Sequence, residues 1–383
     1  MKGCEIFMSL SMKRIIMVAG ASISFNIGSG FATGQETIQY WVPFGILGLL
    51  SILIYTAINT YANNGFIDAG KETGESNPNA IFNYFCGKYI GTFFDWFAVF
   101  FCFLSFAVMV AGAGAVLNQQ WEIPSVVGSL IIAVLAGITV TFGLHKMLNV
   151  LGVIGPVIII FSLVGSIIGI IFGSTGVSNG IGLATSGKYD LISAGDTWWK
   201  ACYSYLGFGM MWFAAFFAAI GKTEKNVKDA KLGNILFNIL MALMIILAAL
   251  SLFANLGIVQ GTEVPILAFL NHISPVLGMI YSLSIFFAIY TTACPLLWTP
   301  VQRLAKDGTR KYKILALVLM AIGTFIGLAV PFSALMNYVY VINGYVGGIL
   351  ILFIIIKRTR IRIAKNKNDS VPPDSMDSAA SNL

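Results

Sequence analysis

Charge is what this sequence has least of. Only 10% of its 383 residues are Asp, Glu, Lys or Arg, against roughly 25% in an average soluble domain. Aqueous solubility needs a polar skin, and 23 Lys plus Arg with 16 Asp plus Glu cannot coat a chain that is 57% hydrophobic. An ordinary soluble protein is excluded, and lipid is the solvent expected for most of the chain. Cysteine is sparse and scattered: Cys4, Cys86, Cys102, Cys202 and Cys294 form no CxxC pair, and the only histidines, His145 and His272, sit in or beside loops. Neither a metal site nor a disulfide framework is expected, and the thiols read as structural. A GxxxxGK[ST] loop is missing, which argues against a complete ATP-driven pump. The sequence also has no HExxH, no paired intramembrane Asp and no His at membrane depth to activate a serine, so an intramembrane enzyme is disfavoured.

The net charge of +7 lies in short segments between apolar runs, where the polyanion to be met is the lipid headgroup layer. Membrane lipid is the expected partner and nucleic acid is not. Lys13 and Arg14 precede an apolar stretch as in a signal peptide, but the glycine-rich run 26–34 continues it without a cleavage site, so the N-terminus is expected to be retained.

Apolar runs bounded by charges and turn formers predict an all-α membrane protein with ten spans, at 14–40, 43–64, 90–117, 123–143, 147–172, 197–220, 231–256, 275–303, 312–331 and 333–356. The organisation expected is a short N-terminal segment (1–13), a first five-helix repeat (14–172), an outer loop (173–196), a second repeat (197–356) and a tail (357–383) that is basic, then disordered. With this assignment 21 of the 23 Lys and Arg fall on one side, Lys188 and Lys200 being the exceptions. Cationic loops stay in the cytoplasm, so both termini are placed there, in the cell membrane.

Span 1 contains Asn26-Ile27-Gly28-Ser29-Gly30-Phe31-Ala32-Thr33-Gly34-Gln35-Glu36 near mid-membrane depth. Backbone unwinds at that depth only where protein or a water-filled cavity satisfies the freed N–H and C=O groups, and those groups bind carboxylates and small cations. Small residues also let helices pack closely, so both readings stand for span 1 alone. Span 6 repeats the pattern 179 residues later, as Tyr205-Leu206-Gly207-Phe208-Gly209-Met210. A broken helix heading each of two five-span halves points to an inverted-repeat transporter with its site between helices 1 and 6.

The run Gly28-Ser29-Gly30-Phe31 resembles the GSG motif of the amino acid-polyamine-organocation permeases. Continued through Gly34-Gln35-Glu36, and taken with the five-plus-five layout and the length, it is similar to the YkvI-type amino acid permeases. The resemblance implies a LeuT-like fold and names no substrate. In LeuT-like symporters a sodium ion sits between carbonyls beside the first break and two adjacent hydroxyls on span 8. Carried onto this sequence, Ser24, Ile27 and Ala288 offer carbonyls and Thr291 and Thr292 hydroxyls, an oxygen-only set suited to a hard cation. Paired threonines also bond back to their own helix. Proton coupling is the rival, although span 5 lacks the lysine that replaces sodium in some relatives, and its Gly155-Pro156 marks a kink.

Around the breaks, Asn26, Gly28, Ser29, Gly30, Tyr205, Gly207, Phe208 and Gly209, with Ser105 on span 3, are the candidate substrate ligands, and Asn337 or Asn343 on span 10 lie nearby. Glu36 is the one acid well inside an outer half-helix, which makes it a functional candidate by default. Glu36 and Lys200 both fall roughly 10 Å outside the breaks, so they are expected to close an outer gate, or Glu36 to be a protonation site. Asp95, beside Trp96, is expected to anchor the interface or join an ion pair, and 264–275 to form an outer loop helix. The function expected is symport of a small amino acid or related zwitterion or amine, driven by Na+ or H+, with no other cofactor. A permease-like solute sensor and a channel are the alternatives.

Overall fold

The computed structural model describes residues 2–74, 80–142, 144–224, 226–306 and 308–369. The acidic end of the tail lies outside these, as do the side chains of His145, Lys146 and Gly155-Pro156. Helix is the only regular secondary structure among the described residues. Span 1 is divided into α1 (Lys2–Asn26), α2 (Ser29–Thr33) and α3 (Gln35–Tyr40). Spans 2 to 5 are α4 (Gly45–Thr73), α5 (Ile81–Trp121), α6 (Ser125–Thr141) and α7 (Leu144–Ile171). A loop helix α8 (Val177–Thr185) leads to spans 6 and 7, which are α9 (Trp198–Thr223) and α10 (Val227–Ala254). The short helices α11 (Leu256–Val259) and α12 (Pro265–Ile273) precede spans 8 to 10, which are α13 (Pro275–Leu304), α14 (Arg310–Ala329) and α15 (Phe332–Asp369).

Among the described residues seven helical stretches are long and apolar enough to cross a membrane, and Ser125–Thr141 and Ile158–Ile171 are shorter apolar helices. The chain is a multi-pass membrane protein. Its polarity is inverted relative to a soluble domain: Leu50, Phe93, Ile131, Leu243, Phe287 and Phe325 are exposed, while Gln35, Glu36, Gln39, Asn59 and Asn238 are buried. Lipid accepts the first set, and only protein partners satisfy the second.

The two halves exchange partners. Span 1 packs on span 7 and span 6 packs on span 2, as expected of halves related by a two-fold axis in the membrane plane. Between spans 2 and 7, Asn59 of α4 donates through Nδ2 to Asn238 Oδ1 of α10 at 2.8 Å, across a sequence separation of 179, the offset of the two glycine motifs. Asn63 and Asn234 extend the contact by one turn, Asn63 Nδ2 donating to Asn234 Oδ1 at 3.2 Å.

One expectation is corrected. α9 runs from Trp198 to Thr223 without interruption, so span 6 is not broken at Gly207-Phe208-Gly209. The reason is packing: a Cβ on Gly207 would overlap the backbone of Gly344 and Gly348 in α15, and one on Gly344 or Gly347 would overlap Ser204 O or Gly207 O. Here the small residues bring two helix backbones together, which is their commoner use in membranes.

Candidate functional site

Span 1 does break. Ile27 N still closes the helix onto Ile23 O at 3.1 Å, while Gly28 is extended (φ −109°, ψ −165°) and accepts from Ala32 N at 3.0 Å to start α2. A second interruption follows at Gly34, whose φ of 87° lies in the left-handed region that disfavours side chains. The break frees Ile27 O, and span 8 supplies its partner. Thr292 Oγ1 shares its proton between Ile27 O at 3.1 Å and Ala288 O at 3.0 Å, and Thr291 Oγ1 donates to Ala288 O at 2.9 Å. Ser24 lines, with Thr291, Thr292, Phe25, Cys102 and Trp212, a cavity of about 60 Å³ beside this joint. The five residues expected to form a cation site, Ser24, Ile27, Ala288, Thr291 and Thr292, are therefore brought together, and Ile27 O, Ala288 O and the two threonine hydroxyls present only oxygen to the joint.

The candidate substrate ligands divide. Ser29 and Ser105 are buried, and the hydroxyl of each makes no hydrogen bond within the described residues. Ser29 meets α5 at Met109, where its N donates to Met109 Sδ at 3.4 Å and Met109 Cε lies against Gly28. Phe208 stacks on Tyr340 of α15 with centroids 4.5 Å apart and meets the edge of Phe101 at 5.8 Å. Gly209 lies opposite Tyr55 Oη and Asn59 Oδ1. Asn26 turns to span 7, its Nδ2 3.8 Å from Met241 Sδ. Gly207 belongs to the α9–α15 seam and not to the site.

Glu36 is 3% exposed. Its Oε2 accepts from Tyr205 Oη at 3.0 Å, and its carboxyl lies over Gly30, where a Cβ would overlap it. The expected pair with Lys200 is not formed. Lys200 instead reaches Asp196 at 2.8 Å on the surface, holding the Asp196 carboxyl below the usual range through that hydrogen bond. The physical reason is reach: Asp196 is one helical turn from Lys200, whereas Glu36 points inward to Tyr205. Asp95 pairs with Arg303, whose guanidinium lies over the Trp96 ring at 5.1 Å from its centroid.

The end of the bundle carrying α12 is closed by a network of amides, of which the sequence reading singled out only Asn337. Gln35 Nε2 donates to Thr262 O at 2.7 Å and Glu263 O at 3.1 Å. Gln39 Nε2 donates to Gln35 Oε1 and to Ser333 O, each at 3.0 Å. Glu263 accepts from Ser333 N at 2.7 Å and Ser333 Oγ at 2.9 Å, and Asn337 Nδ2 donates to Gln39 Oε1 at 2.9 Å. The available signal was the spacing of Gln35 and Gln39, and of Asn59 and Asn63, four residues apart within apolar runs, which puts each pair on one helix face.

No family model matches the chain. It is 22% identical over 320 residues, 84% of its length and 89% of the relative's, to the "Uncharacterized membrane protein YkvI" of Bacillus subtilis (strain 168). It is 20% identical over 346 residues, 90% of its length and 96% of the relative's, to the "Uncharacterized protein YyaD" of the same organism. Among solved structures it resembles MhsT in complex with L-phenylalanine, with a TM-score of 0.59, 16% identity and coverage of 88% of this chain and 87% of that one. It also resembles the inward-facing conformation of Mhp1, with a TM-score of 0.55, 13% identity and coverage of 88% and 75%. A third likeness is to the Eremococcus coleocola manganese transporter, with a TM-score of 0.53, 15% identity and coverage of 91% and 77%. The shared feature is the LeuT-like fold.

Proposed function

We propose that the protein is a secondary transporter of the cell membrane, termini in the cytoplasm, that moves a small amino acid or a related zwitterion or amine by alternating access. Sodium drives it. The observation that carries this reading is the joint between spans 1 and 8, where Thr292 Oγ1 bridges Ile27 O and Ala288 O and Thr291 Oγ1 reaches the same carbonyl. A hard cation takes oxygen ligands, and this set holds nothing else. Placed between Ile27, Ala288 and Thr292, the ion would tie the broken half-helix to span 8. Ion binding would then bias the arrangement of the two elements that flank the substrate, which is the differential contact that coupling requires. The solute would lie beside the break, against Ser29, Ser105 and Phe208. The likeness to MhsT and Mhp1 supports a carrier over an enzyme.

The test is uptake into liposomes holding the purified protein. A sodium gradient is expected to drive accumulation of the solute in the wild type and not in Thr292→Ala. A proton-coupled carrier is the second reading, favoured by the burial of Glu36 beside the break; accumulation driven by a pH gradient in sodium-free buffer would establish it. Solute binding without accumulation under either gradient would make the protein a sensor.

A further inference from the structure

The backbone beside the break is met by a carboxylate that the chain itself supplies. Glu36 folds back across the left-handed turn at Gly34, so that its carboxyl lies on Gly30 and accepts the Tyr205 hydroxyl. No side chain fits on Gly30 without displacing it. The hydrogen-bond partner of Glu36 is a phenol, Tyr205 of α9, whose ring is packed in turn by two further phenols, Tyr40 of α3 and Tyr55 of α4. None of the ion pairs among the described residues includes Glu36. One hydroxyl donor, and no ion-pair partner among the described residues, leave a buried carboxylate undercompensated, a costly arrangement that marks functional sites within membranes.

The surroundings suit a positive guest. The Tyr205 ring is met edge-on by Tyr40 at 4.9 Å, Trp41 at 5.1 Å and Tyr55 at 4.9 Å, and Phe208 stacks on Tyr340. Aromatic faces attract ammonium groups, more strongly where water is excluded. The Ser29 and Ser105 hydroxyl oxygens are able to accept from N–H donors. A solute carboxylate arriving at the same backbone would instead meet the Glu36 charge, a like-charge contact that discriminates against it.

We propose that the group recognised beside the span 1 break is an ammonium held by Glu36, so that the solute is a small organic amine for which a carboxylate is dispensable. This rests on the transporter reading above and narrows its solute class. Sodium coupling at Thr292 is independent of it.

Thermal unfolding of the purified full-length protein, with ethylamine, tetramethylammonium or propionate added at millimolar concentration, tests the proposal. A ligand that binds the folded state raises Tm by mass action. Ethylamine or tetramethylammonium is expected to raise the Tm of the wild type and propionate to leave it unchanged. Glu36→Gln, which keeps the shape and removes the charge, is expected to weaken amine binding on the order of 100-fold, as loss of one partner of a buried charge pair does. Protection by propionate equal to that by the amines, no protection by either amine, or undiminished amine binding in Glu36→Gln overturns the assignment. The wild-type comparison decides the matter even if the variant does not fold. Amine binding without sodium-driven accumulation in liposomes would overturn the transporter reading and leave the ammonium site standing. Accumulation of an acid that lacks an amine would do the reverse.

Discussion

The two glycine motifs, Gly28-Ser29-Gly30 and Gly207-Phe208-Gly209, stand 179 residues apart in one pattern and meet opposite fates. At the first the helix opens, Gly28 becoming extended and Ile27 O turning to Thr292. At the second the helix continues from Trp198 to Thr223 while Gly207 presses into the backbone of α15. The difference is the neighbour. A polar side chain that satisfies a freed carbonyl makes unwinding tolerable at membrane depth, whereas a glycine face on the adjacent helix rewards a helix that stays straight. A Gly-x-Gly in an apolar span therefore reports close approach, and the partner decides whether the backbone opens.

Substitutions at the two sites break or sharpen that contrast. The largest effect is expected from Gly207→Val, whose side chain would meet the Gly344 and Gly348 backbones. Its stability is expected to fall by about 3 kcal/mol, the upper range for overpacking, seen as a lowered Tm or as aggregation on size exclusion. Gly20→Ala in α1, where a Cβ meets nothing within 4 Å, is the control, and is expected to be neutral or stabilising by about 1 kcal/mol through helix propensity. Next comes Thr292→Ala, which strips Ile27 O of its donor in a buried setting. A loss of about 1–3 kcal/mol is expected, and the part of the Tm that sodium raises in the wild type should vanish. If Thr292→Ala keeps the sodium response, the span 1 joint is only structural.

Smaller still is Asn59→Ala between spans 2 and 7. It removes the bond to Asn238 and is expected to lower stability by about 0.6 kcal/mol, the average for such bonds within membranes, and by no more than about 1.7 kcal/mol. The smallest is Lys200→Gln. Lys200 pairs with Asp196 on the surface and lies over the Trp199 ring, so neither Tm nor uptake is expected to change; a clear loss of uptake would restore it to the gate.

Much of the fold was legible because lipid imposes a long apolar run on every span, and such runs stand out in a sequence this poor in charge. The grouping of Ser24, Ile27, Ala288, Thr291 and Thr292 was legible by resemblance: these residues lie together where span 1 meets span 8. The unbroken span 6 was not legible, since the Gly344-to-Gly348 face that holds it straight lies on α15, well over a hundred residues away in the chain. The Glu36–Lys200 pair failed for a related reason. Equal depth in the membrane says how far each residue lies from the midplane and nothing about the direction in which it points; Tyr205 and Asp196 settle that.

By itself the sequence determined that the chain lives in lipid and is built of apolar helices, because hydrophobic length and the spacing of charges are local properties that the bilayer reads directly. Which glycine motif opens, that Thr292 closes on Ile27, that Asn59 meets its own equivalent Asn238, and that Glu36 lies over Gly30 beside the Tyr205 phenol were decided only by the tertiary structure. Each depends on what a distant helix presents to a freed carbonyl or a buried charge, and within the membrane such groups find their partners only in other parts of the protein.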